Sequence, residues 1–166
     1  MFKFIKNKTA RALVSFAFKW GIVALAIAIA LTRFLAVRIC RSNDMYPNVR
    51  DGDFVLLKRF GTLLPDDVIL YERDGKEFYG RIVALAGEEV EITENGLYVD
   101  GSQTLNALPY ETIPQEGQEY PLTVPDGCFF VLGDLRSQAS DSRIFGCVSE
   151  EDVIGKQIYL MRWRNF

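Results

Sequence analysis

An apolar stretch near the N-terminus places the strongest constraint on how this chain can fold. It covers residues 13–37, and its only charged residues are Lys19 and Arg33. A helix of about 20 apolar residues spans the hydrocarbon core of a bilayer, and basic side chains near its ends can reach the interface. The sequence therefore predicts a transmembrane anchor over residues 13–37, with a short tail, residues 1–12, before it and one folded domain, residues 38–166, after it.

The flanks of this stretch predict its orientation. Residues 1–12 contain four basic residues and no acidic ones, which is typical of a cytoplasmic flank. The alternative is a cleaved secretory signal, but a small-x-small cleavage site is missing, because Leu-Thr-Arg-Phe follows the alanine-rich segment at 31–34. We therefore expect a retained single-pass anchor in the cell membrane, with a cytoplasmic N-terminus and an extracytoplasmic domain.

Charge and residue usage exclude several classes of function. Eleven of the 19 basic residues and all 22 acidic residues lie from Asp44 onward, so this part carries a net charge of −11. Nucleic acid is not expected as a partner, because its binding requires a basic surface. Without any histidine, histidine-based catalysis is excluded, and the sequence predicts neither a metal site nor a cofactor. Cys128 and Cys147 could form a disulfide outside the cell or remain free thiols, and the sequence leaves both open.

Short strands separated by turns fill most of the predicted domain. Turn signals occur at Asp74-Gly75, Asn95-Gly96 and Asp100-Gly101, and Ser149 is a candidate helix N-cap. Residues from about 100 to 125 contain four prolines and little periodicity, which indicates an insertion or flap. The pattern favours a mainly β protein with an antiparallel sandwich or folded barrel. The predicted strands are 53–59, 67–72, 77–86, 89–93, 97–99, 128–132 and 157–163.

Two segments resemble those that carry the active site of the bacterial type I signal peptidases. Residues 42–53 read Ser-Asn-Asp-Met-Tyr-Pro-Asn-Val-Arg-Asp-Gly-Asp and are similar to the family's Ser-Met-x-Pro…Gly-Asp frame. Asp44 stands where the family has its nucleophilic serine. Residues 79–88 resemble the family's Lys-Arg-x-x-x-x-x-Gly-Asp strand, but Gly80 replaces the lysine general base, while Arg81 is retained. The resemblance implies a signal peptidase I type of β domain behind its anchor.

A third segment, residues 133–143, resembles the family's Gly-Asp-Asn-Arg-x-x-Ser-x-Asp-Ser-Arg box. Ala139 replaces the serine that hydrogen-bonds the catalytic lysine in the family. Together with the changes at 44 and 80, this implies a pseudoenzyme with no intact catalytic residue. Asp141 and Arg143 are expected to pair across one side of an extended segment, as the resemblance implies. The retained frame consists of Ser42, Met45, Pro47, Arg81, Asp134, Arg136, Asp141, Ser142 and Arg143.

The resemblance also assigns roles around Asp44. Ser42 matches the serine that helps to form the family's oxyanion hole. Met45 and Tyr46, which precede Pro47, have two open interpretations: peptide contact, or ordinary packing and membrane-interface contact. Gly80 is expected to leave a small space where a lysine stem would run.

Three functional hypotheses follow. The first is a non-catalytic, membrane-anchored homologue that binds a secreted client, because the chain resembles signal-peptidase-like proteins encoded with sortase-assembled pili in Gram-positive cocci. That resemblance implies a pilin as client and a sortase as a further partner. The second is an active signal peptidase with an atypical nucleophile, such as Ser42 or Ser142, or another base, such as Lys58. The third is a passive scaffold without a client cleft.

Overall fold

The computed structural model describes residues 8–104, 111–115 and 117–162, and the chain divides into two compact units, Met1–Leu35 and Ala36–Phe166. The first unit is formed by helix α1 (Lys8–Phe34). Among the described residues, α1 is the helix long and apolar enough to cross a membrane, over Arg11–Phe34 with a mean hydropathy of 2.1. Most of the predicted tail lies outside the described residues.

The predicted anchor of residues 13–37 extends too far at its C-terminal end. Helix α1 ends at Phe34, and strand β1 (Leu35–Ile39) begins at the next residue. Leu35, Ala36 and Val37 are apolar, and hydropathy alone cannot separate apolar strand residues from the end of an apolar helix. The change from helix to strand therefore falls three residues before the predicted boundary.

The second unit contains two antiparallel sheets, which confirms the predicted fold class. Its strands after β1 are β2 (Phe54–Lys58), β3 (Val68–Arg73), β4 (Lys76–Ala84), β5 (Glu89–Thr93), β6 (Gly96–Val99), β7 (Ser102–Gln103), β8 (Leu122–Thr123), β9 (Cys128–Leu132), β10 (Val148–Ser149) and β11 (Val153–Met161). A seven-stranded sheet has the order β1-β2-β11-β3-β4-β9-β10, and a four-stranded sheet has the order β7-β6-β5-β8. A helix, α2 (Ser142–Phe145), follows β9, and a 3-10 turn (Glu150–Asp152) follows β10.

The turns between these strands follow from the residues that adopt positive φ. Asp74 and Gly75 have φ values of 51° and 73°, which is the conformation of a two-residue type I′ hairpin. Asp100 and Gly101 behave in the same way, with φ values of 49° and 71°. The third predicted turn is displaced by one residue, because Thr93 pairs with Gly96 and leaves positions 94 and 95 as the loop. Ser149 caps the 3-10 turn as predicted, accepting a hydrogen bond from Glu151 N.

The segment predicted as a flap is partly built into the smaller sheet. Ser102–Gln103 pairs with β6, and Leu122–Thr123 pairs with β5. Val124, directly after β8, is buried. Strands of two residues are too short for alternation to be recognised, so the sequence could not reveal them. Residues 105–110 and 116, which belong to the same predicted flap, lie outside the described residues.

Cys128 and Cys147 are free thiols in this structure, although the register of β9 and β10 brings them near each other. Burial, followed by the hydrogen bond with Cys147, raises the pKa of the Cys128 thiol to about 11. Cys40 is buried, and its Sγ contacts the Ser42 carbonyl oxygen at 3.2 Å.

Strands β3 and β4 present their two faces to different clusters of the core. Leu70 and Tyr79 pack on one side with Met45, while Ile69 packs on the other with Val131. Successive side chains of a strand point to opposite faces, so neighbouring residues of β4 contribute to different clusters. Position 80 therefore faces the cluster that contains Ile69 and Val131. A side chain added at this position would point into that cluster.

Candidate functional site

Asp44 lies in the loop between β1 and β2, where it touches the segment that follows β9. Its carbonyl oxygen accepts a hydrogen bond from Leu135 N at 2.8 Å. A Cβ added to Gly133 would stand 2.9 Å from the same oxygen, so glycine permits this close approach. The next residue, Met45, is fully buried, and its Sδ accepts from Asp134 N at 3.4 Å. The structure thus brings two of the three sequence segments into direct contact.

The Asp44 carboxyl is half-buried, and its ionised form is disfavoured there. Burial is the largest cause that raises its pKa above the ordinary value, and the negative charge of Asp141 acts in the same direction. A hydrogen bond with the Ser42 side chain opposes both by favouring the carboxylate. A carboxylate fixed here would also repel a negative charge developing on a neighbouring oxygen, the opposite of what an oxyanion hole supplies.

Asp44→Asn is expected to stabilise the folded protein at neutral pH. A pKa raised on folding means that ionised Asp44 destabilises the native state when the pH lies above both pKa values. Asparagine keeps an acceptor for Ser42 but carries no charge. The difference in unfolding free energy between Asp44→Asn and the unchanged chain should shrink as the pH falls through the raised pKa, and vanish below the ordinary value. Denaturation of both chains in detergent from pH 7 to pH 3 measures this, and a variant less stable at pH 7 would contradict it.

Gly80 lies in β4 opposite Ile69 of β3, and the space beside it is occupied. A Cβ at this position would overlap Val131 Cγ1 and would meet Tyr71 Cε1 at 3.4 Å. The expectation of a small vacant space is therefore wrong: the Val131 side chain from β9 fills it. Sequence reasoning missed Val131 and Tyr71, because neither belongs to a matched motif and their approach to Gly80 depends on strand pairing.

Lys58, the alternative base that the sequence suggests, lies far from Gly80. Its strand, β2, is separated from β4 by β11 and β3, which at about 4.8 Å per strand is a distance of about 14 Å. The Lys58 ammonium lies instead beside Gly61, 3.1 Å from where a Cβ would stand. Lys156 lies nearer to Gly80 in the sheet, because it pairs with Ile69, which in turn pairs with Gly80. Its Nζ, however, is 2.6 Å from an Asp67 carboxylate oxygen. Both of these lysines are directed elsewhere.

Asp134 ties the Asp44 loop to β4. Both of its oxygens accept from Arg81, with Nε–Oδ1 at 2.9 Å and Nη2–Oδ2 at 2.8 Å. Asn48 donates to the same carboxylate at 2.6 Å, and Arg81 also donates to the Asp66 carbonyl oxygen at 2.7 Å. Asn48 was missed by the sequence interpretation, although it lies one residue after Pro47 in the matched frame. The retained Asp134 and Arg81 therefore form a structural clamp.

Asp141 and Arg143 form a buried, bidentate ion pair, with N–O distances of 2.9 and 2.8 Å. The Asp141 carboxylate also accepts from the backbone N–H groups of Gly133 and Arg143, each at 3.1 Å. The predicted pairing is present, but the segment is not extended: Asp141 caps the N-terminus of α2, and Arg143 lies in that helix. An N-cap carboxylate reaches N–H groups of the first turn, which explains the i, i+2 contact.

Three further members of the matched 133–143 segment are buried in the same arrangement. Ser142 is fully buried, and its Oγ accepts from Val131 N at 2.9 Å, so it is not available as a nucleophile. Arg136 donates through Nε to the Gly133 carbonyl oxygen at 2.9 Å and also contacts the Thr112 hydroxyl. Ala139 is buried, and it packs so tightly on Gly133 that a Cβ added to Gly133 would overlap the Cβ of Ala139.

The same contacts argue against a paired-carboxylate mechanism at Asp44. Such a mechanism needs a second carboxyl that can share a proton. Asp134 and Asp141 each accept two hydrogen bonds from an arginine side chain, so both carboxylates are already engaged. Neither is free to act as the partner.

The structure shows which residues surround Met45 and its neighbours. Met45 lies in the core, so the packing interpretation holds for it. Tyr46 is 39% exposed, with the Arg50 guanidinium 4.9 Å from its ring centroid. The Pro47 carbonyl oxygen accepts from Arg50 Nε at 3.3 Å. Ser42 is half-buried and lines a groove with Val37 and Tyr79, next to Asp44.

These segments are also recognised by comparison with known proteins. The sequence profile described as "Signal peptidase, peptidase S26" matches residues 13–163. The chain belongs to the signal peptidase family. Among its relatives, "Probable signal peptidase I-1" of Synechocystis sp. is 28% identical, over 82% of this chain and 76% of that protein. "Signal peptidase I T" of Bacillus subtilis is 25% identical, over 90% of this chain and 87% of the other.

Other members of the signal peptidase family that this chain resembles carry names that deny activity. "Inactive signal peptidase IA" of Staphylococcus aureus is 29% identical, over 81% of this chain and 83% of that protein. A crystal structure of a signal peptidase I from Enterococcus faecalis is also similar, with 31% identity, 58% of this chain and 97% of that chain covered, and a TM-score of 0.48. The family thus includes named peptidases and a named inactive form among the relatives of this chain.

Proposed function

We propose that this protein is a membrane-anchored, non-catalytic signal peptidase homologue that binds a secreted client without cleaving it. The observation that carries this proposal is the pair of positions 44 and 80. A carboxylate occupies the nucleophile's position, and the position of the general base is a glycine whose side-chain space is filled by Val131 and Tyr71. A serine nucleophile without histidine needs a neighbouring neutral lysine, and neither residue of that pair is present at these positions.

The rest of the site supports retention of a binding role. The Asp44 loop is held to the segment after β9 by the hydrogen bonds of Asp44 O with Leu135 N and of Asn48 with Asp134. Ion pairs of Asp134 with Arg81 and of Asp141 with Arg143 fix that segment in turn. A groove beside Ser42 remains open to solvent next to this framework. The framework and the groove are kept although positions 44 and 80 lack the serine and the lysine. This favours a binding role over a purely passive one.

The orientation and the client are part of the same proposal. Helix α1 is the anchor, the N-terminus is cytoplasmic, and the β unit is extracytoplasmic, where it meets exported proteins. The client is a secreted protein. The resemblance to proteins encoded with sortase-assembled pili supports a pilin as that client, a role in pilus assembly, and a sortase as a further partner.

An active peptidase is the second candidate function, and one contact favours it. The Ser42 side chain lies close enough to the Asp44 carboxyl to lower its pKa, which places a hydroxyl beside a candidate base. Two features weigh against it. A carboxylate is a far weaker base than a neutral lysine even when its pKa is raised, and its negative charge opposes the oxyanion that the reaction would form.

Site-specific photo-cross-linking in intact cells tests the binding role. A photoreactive residue at Ile39, 49% exposed in the groove, is expected to cross-link to a secreted protein. The matched control is Leu64, 53% exposed and outside the groove, which should give no such product. Equal cross-linking from the two positions, or none from Ile39, would contradict the proposal and favour the passive scaffold.

A further inference from the structure

The groove beside Ser42, about 580 Å³ in volume, differs in charge from the domain around it. We call it the β1–β4 groove, because Val37 and Ile39 of β1 line one side and Lys76 and Tyr79 of β4 line the other. Its position beside the Asp44 loop makes it the surface through which the proposed client would bind. The inference below therefore rests on the proposed function and concerns the chemistry of that client.

The apolar part of this groove has the form of a strand edge. β1 is the first strand in the order of the seven-stranded sheet, with β2 as its neighbour. Val37 and Ile39, two residues apart, are 61% and 49% exposed. Residues i and i+2 of a strand point to the same side, so these two side chains form a continuous apolar strip. An extended peptide can bind along such an edge with alternate side chains against the strip.

The polar part of the groove is basic. Arg38 crosses it to Glu77, with Nε 3.1 Å from the carboxylate oxygen. Arg41 and Lys76 also line the groove, both are exposed, and within the described ranges neither has a carboxylate oxygen within 4.0 Å. Two uncompensated cations thus stand at the rim, whereas the chain from Asp44 onward carries a net charge of −11.

We propose that the β1–β4 groove binds an extended segment of its client that carries acidic side chains, read by Arg41 and Lys76. The acidic surface of the rest of the domain repels such a segment. The basic rim of the groove therefore attracts the segment and fixes its register along β1. Small apolar residues alone would use the strip of Val37 and Ile39 but would leave both cations unpaired.

Anionic lipid is the competing ligand for the same cations. A headgroup would pair with Arg41 and Lys76 but would make no use of the strand edge or of the apolar strip. An extended acidic peptide uses all of these features, and for that reason we favour it.

The test is peptide binding to the full chain in nanodiscs of zwitterionic lipid, measured by fluorescence anisotropy. The probes are a labelled ten-residue peptide of alternating valine and glutamate and its counterpart with glutamine. The variant is Arg41→Gln with Lys76→Gln, and the matched control is Lys58→Gln with Arg59→Gln, which removes the same charge from residues lining a different pocket. Two exposed ion pairs of about 0.5 kcal/mol each amount to roughly fivefold in affinity.

The acidic peptide is expected to bind about fivefold or more tightly than the glutamine peptide, and this preference should be lost in the groove variant but kept in the control. Equal binding of both peptides would overturn the charge selectivity while leaving a non-catalytic client-binding role intact. Binding to nanodiscs with phosphatidylglycerol that depends on Arg41 and Lys76, without peptide binding, would assign the site to lipid and overturn the proposal. Cleavage of a peptide would instead contradict the proposed function itself.

Discussion

Asp141→Ala is expected to lower the free energy of unfolding by about 3–5 kcal/mol, because removing one partner of a buried ion pair leaves the other charge uncompensated. Arg143, which is fully buried, would lose both of its side-chain contacts to the carboxylate. The backbone N–H of Gly133 would lose its acceptor as well. Denaturation of the full chain in detergent, followed by circular dichroism, measures the change.

The matched control is Glu77→Ala, which breaks the ion pair with Arg38. That pair is exposed, with 36% and 44% of the two side chains accessible, so its loss should cost less than about 1 kcal/mol. A cost for Asp141→Ala as small as that of the control would contradict the structural role given to Asp141. A large cost identifies it as part of the framework that the protein keeps irrespective of catalysis.

Gly80→Ala is expected to destabilise the protein by about 1–3 kcal/mol, the usual cost of overpacking a core. The added Cβ overlaps Val131 Cγ1, so the cost should depend on that side chain. In a Val131→Ala background the same substitution should cost about 1–2 kcal/mol less, which is the size of coupling found between contacting residues. Denaturation of the four chains of this double-mutant cycle provides the measurement, and strictly additive effects would contradict the packing described for Gly80.

The same packing affects whether a lysine at position 80 could act as a base. Asp44→Ser with Gly80→Lys is expected to give no substantial cleavage of a signal-peptide substrate, for two reasons. Val131 occupies the path of the new side chain, and Ala139 supplies no hydroxyl to orient its amine. Ala139→Ser and Val131→Ala are the informative additions, and efficient cleavage by the double variant alone would contradict this interpretation.

Much of the fold could be predicted from local patterns. Glu89–Thr93 alternates buried and exposed residues, and Asp74-Gly75 and Asp100-Gly101 adopt the positive φ that their hairpins require. The two-residue strands β7 and β8 gave no periodic signal and were interpreted as part of a flap. The end of the predicted anchor differs from the end of α1 for a related reason, because an apolar strand follows the helix without a polar break.

The site was predictable only where its parts share a sequence segment. Asp141 and Arg143 are two residues apart, so their pairing could be expected, although the helix cap that creates it could not. The occupied space at Gly80 depends on Val131, which is 51 residues away and arrives through the pairing of β4 with β9. Asn48 and Thr112 were missed because a lone amide or hydroxyl carries little signal until its buried partner is known.

Incubation with an exported preprotein decides whether the unaltered protein is non-catalytic. The full chain, purified in detergent, is incubated with a preprotein that carries a cleavable signal peptide, beside an active signal peptidase as positive control and the Asp44→Ala variant as matched negative. We expect no cleavage above background from the unaltered chain, as from Asp44→Ala. Cleavage at the signal-peptide junction that is lost on Asp44→Ala would contradict this expectation and would establish an atypical peptidase instead.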